Sequence, residues 1–179
     1  DVRLNAVRTP PYAPNADPEW VEAIVRLAAR TISRNKLILG IPTYGYEYAV
    51  TPLSGSGYEY ERLWPFNFKY ATDIAAKLGI TPIRNNAKEI GFSYDPKLIE
   101  PAPTGADATL LQQSTAVSTT VTQNAAPTST VPASFNYLSW SDAQAVKDKV
   151  DLAKKLGLRG VAIFKFDGGE DQNIWDVLR

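Results

Sequence analysis

Lys36-Leu37-Ile38-Leu39-Gly40-Ile41-Pro42 is the stretch that decides the fold. Its apolar run is short and unbroken, which predicts a strand buried on both faces, as in a parallel sheet. Upstream, Asp17-Pro18-Glu19 carries the marks of a helix start: Asp at the N-cap, Pro at the first helical position, Glu in the first turn. Trp20, Ile24, Leu27, Ala28 and Ile32 then recur at spacings of three and four. That period predicts a helix ending near Ser33 with these residues on its packed face. Helix followed by buried strand is one αβ step. Residues 1–16, with Pro10, Pro11 and Pro14, are expected to be irregular.

A second αβ step closes the chain. Ser141-Asp142-Ala143-Gln144 fits a capping box with Ser141 as the cap. Ala143, Val146, Val150, Ala153 and Leu156 form an apolar stripe, and Gly157 is placed to stop the helix. Gly160-Val161-Ala162-Ile163-Phe164 is a second short apolar strand, and Asn173 to Leu178 reads as the first turns of a final helix. Both steps point to α/β architecture.

Residues 47–134 differ in kind. Tyr58, Tyr60, Trp64, Phe66, Phe68 and Tyr70 make an aromatic-rich stretch, followed by a short helix over Asp73–Leu78 stopped by Gly79. Residues 89–94 and 135–140 alternate apolar and polar side chains, which predicts two half-exposed strands. Between them, residues 100–134 are rich in Thr, Ser, Ala and Pro and are expected to form a flexible loop. The expected division is therefore 1–46 and 135–179 as α/β segments, with 47–134 as an inserted α+β subdomain. Two parallel strands cannot cover their own faces, and an eight-stranded α/β barrel takes about 250 residues. The α/β portion is expected to be a sector of a larger sheet.

Composition narrows the chemistry. Nineteen basic residues balance nineteen acidic ones, so nothing marks a nucleic acid or an anionic membrane as partner. No apolar run approaches the roughly 18–20 residues that cross a bilayer. With no Cys and no His, thiolate or imidazole metal sites and Ser-His or Cys-His pairs are excluded, and no metal or cofactor is expected. Acid-base chemistry would fall to Asp, Glu, Lys or Tyr. The lack of Cys fits an extracellular or cell-envelope setting. Because the chain starts at Asp1 and holds no Met, a preceding segment is expected.

Three stretches together resemble the C-terminal part of family-18 glycoside hydrolases, the chitinase-like (β/α)8 barrels. Lys36 to Gly45, with its Gly-x-Pro-x-Tyr-Gly ending, is similar to the seventh barrel strand. Trp140-Ser141-Asp142, leading into the helix with Lys149, resembles the return from the family's inserted subdomain. Gly157 to Asp167 resembles the eighth strand. Gly169-Glu170-Asp171 followed by Ile174-Trp175 is similar to the endings of bacterial cell-wall and spore-lytic members.

The resemblance implies a C-terminal sector of a TIM (β/α)8 barrel carrying a small inserted α+β subdomain. It implies cleavage of N-acetylglucosamine-containing glycans, chitin or peptidoglycan, with the sugar's acetamido oxygen as nucleophile and one protein Glu as acid. That Glu closes an Asp-x-x-Asp-x-Asp-x-Glu motif which these 179 residues do not contain, and the sixth-strand Tyr-Asp is missing too. No catalytic residue is therefore expected in this chain, which is expected to be inactive alone and to be completed by an N-terminal segment of the same barrel. Tyr44 matches the strand-seven Tyr that contacts substrate. Phe164 stands where the family usually has the Trp on which the sugar stacks; a core role is the competing reading. Tyr46, with Glu47 and Tyr48, either lines the cleft or belongs to an ordinary loop. Two rivals stand beside the enzyme: a non-catalytic glycan-binding or structural chitinase-like protein, and a self-standing surface domain.

Overall fold

The computed structural model describes residues 11–54, 57–99 and 134–179. The opening ten residues and, Ser134 apart, the loop expected over 100–134 lie outside the described residues. Eleven elements of helix or strand follow one another: α1 (Pro18–Ala28), β1 (Ile38–Pro42), β2 (Tyr44–Pro52), β3 (Tyr58–Asn67), α2 (Phe68–Leu78), β4 (Ile83–Arg84), β5 (Ile90–Tyr94), β6 (Phe135–Trp140), α3 (Ala143–Lys155), β7 (Gly160–Phe164) and α4 (Ile174–Val177). Single turns of 3₁₀ helix cover Arg34–Lys36 and Pro96–Leu98.

Strands β1 and β7 pair in parallel, with Ile38 opposite Gly160 and Pro42 opposite Phe164. Helices α3 and α4 cover one face of this pair: Ile41, Val146, Val150 and Ile174 are buried together, with Leu39, Val161 and Ile163 against them. The alternate residues point the other way, where Ile38 is 56% and Phe164 66% exposed. The expectation of a strand buried on both faces is thus corrected. Pleating sends successive side chains to opposite faces, and among the described residues helices lie on only one of them.

Helix α1 starts as its sequence predicts, with Asp17 Oδ1 accepting from Glu19 N (2.9 Å) and Pro18 at the first position. Its packed face is not the predicted one. Val21, with Val25 and Ala16, meets Leu152 and Leu156 of α3, while Trp20, Ile24, Leu27 and Ile32 are exposed. The helix also ends at Ala28, ahead of the expected Ser33.

The other sheet is antiparallel, in the order β3-β2-β6-β5-β4. Helix α2 lies on one face over Phe66, Phe92, Tyr94, Leu138 and Trp140. It runs from Phe68, five residues before the expected start, because Asn67 Oδ1 caps it by accepting from Tyr70 N (3.0 Å). Gly79 ends it in the left-handed conformation (φ 64°), as its placement predicts. The opposite face packs Tyr48, Val50 and Tyr137 with Ala13. Strand β6, expected to be half-exposed, is central and buried on both faces. Trp140 is fully buried, whereas Trp175 is 41% exposed and stacks on Phe166 at 5.0 Å.

The chain passes from the parallel pair into the antiparallel sheet at Thr43. Its amide donates to the Phe164 carbonyl (2.8 Å), and its Oγ1 accepts from Lys165 N (3.0 Å). Strand β2 begins at Tyr44, so the expected boundary after residue 46 falls inside a strand.

Candidate glycan-binding site

Tyr44, Tyr46 and Phe164 come together. Phe164 ends β7, and Tyr44 opens β2 two residues beyond Pro42, the end of β1. The rings of Tyr44 and Phe164 sit edge to face, with centroids 6.1 Å apart at 73°. The Tyr46 ring stands 5.4 Å from Tyr44 at 90°, because residues two apart on a strand share a face. The row continues through Tyr48 (6.3 Å from Tyr46) to Tyr60 (5.9 Å from Tyr48), and there it becomes core. Its open part is Phe164, Tyr44 and Tyr46. The peptide bond after Phe164 is cis.

Burial pushes the Tyr44 hydroxyl above its ordinary pKa, and the neighbouring Tyr46 adds to the shift. At neutral pH this hydroxyl is a proton-bearing group, able to donate one hydrogen bond and accept another. Arg62 of β3 lies over the Tyr46 ring, 5.1 Å from its centroid.

Glu47 does not line this surface. It faces the α2 side, fully buried, and accepts from Tyr70 Oη (3.0 Å), Tyr94 Oη (2.5 Å) and Asn136 Nδ2 (2.6 Å). Burial first, then the Glu47 charge, drives both tyrosine hydroxyls far above their ordinary pKa. Tyr46, Glu47 and Tyr48, for which an ordinary loop was the competing expectation, form part of β2. Asp171 is occupied as well: Oδ2 accepts from Ala143 N (2.8 Å) and Oδ1 from Asn173 N (3.0 Å).

Sequence reasoning missed a second buried carboxylate, Glu89. It accepts from Asn15 N (2.8 Å), Ala16 N (3.1 Å) and Lys149 Nζ (3.2 Å), with Ser139 Oγ at 3.4 Å and Ser141 Oγ at 3.5 Å. Asn15 in turn donates from Nδ2 to the Tyr44 carbonyl. Glu89 therefore ties the 11–16 segment, the antiparallel sheet and α3 together behind Tyr44. A lone acid at a strand start carries no local signal of this kind. The described residues contain no cluster of three or more carboxylates that could hold a metal ion, and no helix among them is long and apolar enough to cross a membrane.

The fold is shared with solved structures. The chain is similar to the spore cortex-lytic enzyme SleL of Bacillus megaterium QM B1551, with TM-score 0.58 and 20% identity over 97% of this chain and 32% of that one. SleL of Bacillus cereus gives TM-score 0.60 and 15% identity over 94% of this chain and 30% of the other. A chitinase from Chromobacterium violaceum gives 0.57 and 20% over 93% and 39%. The fold is the chitinase-like family-18 fold. The chain spans about a third of the length of the solved SleL structures. No family model and no curated protein matches it.

Proposed function

We propose that the chain is the C-terminal portion of a glycoside hydrolase acting on N-acetylglucosamine-containing glycans, chitin or peptidoglycan. In this reading β1 and β7 are the seventh and eighth strands of a (β/α)8 barrel, and the antiparallel sheet is inserted between them. The observation that carries it is the meeting of Tyr44 and Phe164 at the carboxyl ends of two parallel strands, where barrels build their sites. The bare face of β1 and β7 and the apolar outer side of α1 fit an arc that further strands and helices complete.

The chain's own part is binding and orientation. Phe164 offers an exposed aromatic face on which the apolar face of a sugar ring can stack. The Tyr44 hydroxyl, held protonated, donates to an oxygen of the sugar at the cleavage point. In the substrate-assisted scheme the sugar's own acetamido oxygen attacks and expels a leaving group protonated by a Glu. These residues hold no Asp-x-x-Asp-x-Asp-x-Glu motif, and Glu47 and Glu89 are buried and already hydrogen-bonded, so this reading assigns the Glu to an N-terminal segment. The setting is extracellular or the cell envelope.

A non-catalytic glycan-binding role is the second reading. Phe164 favours it, since Phe has less area than Trp and no indole N–H.

Titration of the protein, with its upstream segment, by an N-acetylglucosamine oligosaccharide tests the site. Phe164→Ala is expected to weaken binding about tenfold or more, in line with the ~1.5–3 kcal/mol gained when a Phe side chain is fully covered. Unchanged binding in both Phe164→Ala and Tyr44→Ala would overturn the site.

A further inference from the structure

Arg62 is the charge that the aromatic row leaves unaccounted for. Strand β3 places Arg62 opposite Tyr48, on the face that carries Tyr44 and Tyr46, while Glu59 and Glu61 occupy alternate positions. An irregularity in the β2–β3 register between Glu47 and Tyr48 restores Trp64 to the other face, opposite Glu47. Arg62 is exposed, and its guanidinium carbon lies over the Tyr46 ring, 5.1 Å from the centroid. Among the described residues no carboxylate pairs with it: the basic residues engaged in ion pairs are Arg26, Lys69, Arg84, Lys147, Lys149, Lys155, Lys165 and Arg179. Glu89, whose charge acts on Tyr44 and Tyr48, is consumed by Lys149 and two backbone amides.

The open surface thus reads Phe164, Tyr44, Tyr46 and then a single cation, with ring spacings of 6.1 and 5.4 Å leading up to it. A guanidinium held over an aromatic ring and unpaired with any carboxylate still has N–H groups to offer, and they form a fork matched to a carboxylate. We infer that Arg62 is a specificity-determining residue, selecting a glycan that carries a carboxylate beyond the sugar bound at Tyr44. This rests on the glycan reading of the site and adds the charge of the substrate. Two carboxylates meet that chemistry: the lactyl group of a muramic-acid sugar, and the peptide attached to such a sugar. A neutral N-acetylglucosamine polymer offers neither.

Calorimetric titration of the protein with its upstream segment, using three probes, tests this. They are an N-acetylglucosamine tetramer, an N-acetylglucosamine–N-acetylmuramic acid tetrasaccharide without peptide, and the same tetrasaccharide bearing its peptide. The expected result is about fivefold tighter binding of a carboxylate-bearing probe than of the neutral one, falling with added salt. Preference for the peptide-free tetrasaccharide assigns the lactyl group; preference only for the third probe assigns the peptide. In Arg62→Gln the ratio of affinities falls to near one, and Arg62→Lys restores part of it. Equal affinity for all probes in the wild type, or an unchanged ratio in Arg62→Gln, overturns the inference while leaving the glycan site standing. Failure to bind any probe removes both.

Discussion

Lys149 Nζ lies 3.2 Å from Glu89 Oε1, and the two side chains are only 1% and 0% exposed. The pair joins α3, which backs the parallel strands, to the antiparallel sheet that carries Tyr44 and Tyr46. The same carboxylate receives the amides of Asn15 and Ala16, so three separate parts of the chain converge on it. A buried charge persists only when it is partnered and hydrogen-bonded.

Breaking the pair is expected to be costly. Glu89→Ala leaves Lys149 charged and without its partner out of reach of water, a loss of about 3–5 kcal/mol. Urea unfolding should show the midpoint falling accordingly. Combining Glu89→Gln with Lys149→Met removes both charges and should recover most of the loss. A Glu89→Ala midpoint equal to wild type would show the pair to be unimportant.

Gly45 and Gly40 make a matched test of close approach. A Cβ at Gly45 would come within 2.5 Å of the Ser139 carbonyl oxygen and of Trp140 Cβ, whereas one at Gly40 meets nothing within 4 Å. Gly45→Ala is expected to destabilise by about 1–3 kcal/mol, and Gly40→Ala to stay within about 0.5 kcal/mol. Thermal melts of the two variants separate them.

The cap of α3 discriminates between two neighbours. Asp142 Oδ1 accepts from Ala145 N (2.9 Å), and the carboxylate also holds Arg84 through contacts of 3.0 and 2.6 Å. Asp142→Ala should cost about 1–2 kcal/mol, with Asp142→Asn retaining most of the cap. Ser141, the cap expected from sequence, instead turns inward to Glu89. Denaturant melts of Asp142→Asn and Asp142→Ala check the assignment, and equal midpoints would count against it.

Alkali should unfold the protein in a defined window. Burial pushes the Tyr48 and Tyr60 hydroxyls from 10.0 up to about 12. Above pH 10 the unfolded chain therefore releases these protons before the folded one does. The folded state binds more protons, so stability falls as pH rises from 10 through 12 and is fully present below 10. The Tm of Tyr48→Phe should fall less across this window than that of the wild type. Identical slopes would exclude Tyr48 as a contributor.

The parts legible in the sequence are those governed by local period and capping. The α3 stripe of Val146, Val150, Ala153 and Leu156 is buried as its spacing predicts, and Asp17 and Gly79 bound their helices. The packed side of α1 was not legible, because Trp20, Ile24 and Leu27 form the stronger apolar period while Val21 and Val25 face α3. Strand β2 did offer a signal, since Tyr44, Tyr46 and Tyr48 alternate with Gly45 and Glu47. A buried Glu47 inverts the usual polar-outward pattern, and only its three distant donors explain it. For the site, the pairing of Tyr44 with Phe164 rests on resemblance, not on periodicity. Asn15, Arg62 and Glu89 gain their roles from partners remote in sequence, which no local pattern encodes.

In the proposed function these residues supply a sugar platform without the acid that cleaves. The direct measurement is turnover of a chito-oligosaccharide by residues 1–179 alone and by the same residues together with the upstream segment. No product is expected from the first, and hydrolysis, or at least sugar binding that depends on Tyr44 and Phe164, from the second. Product released by residues 1–179 alone would contradict it.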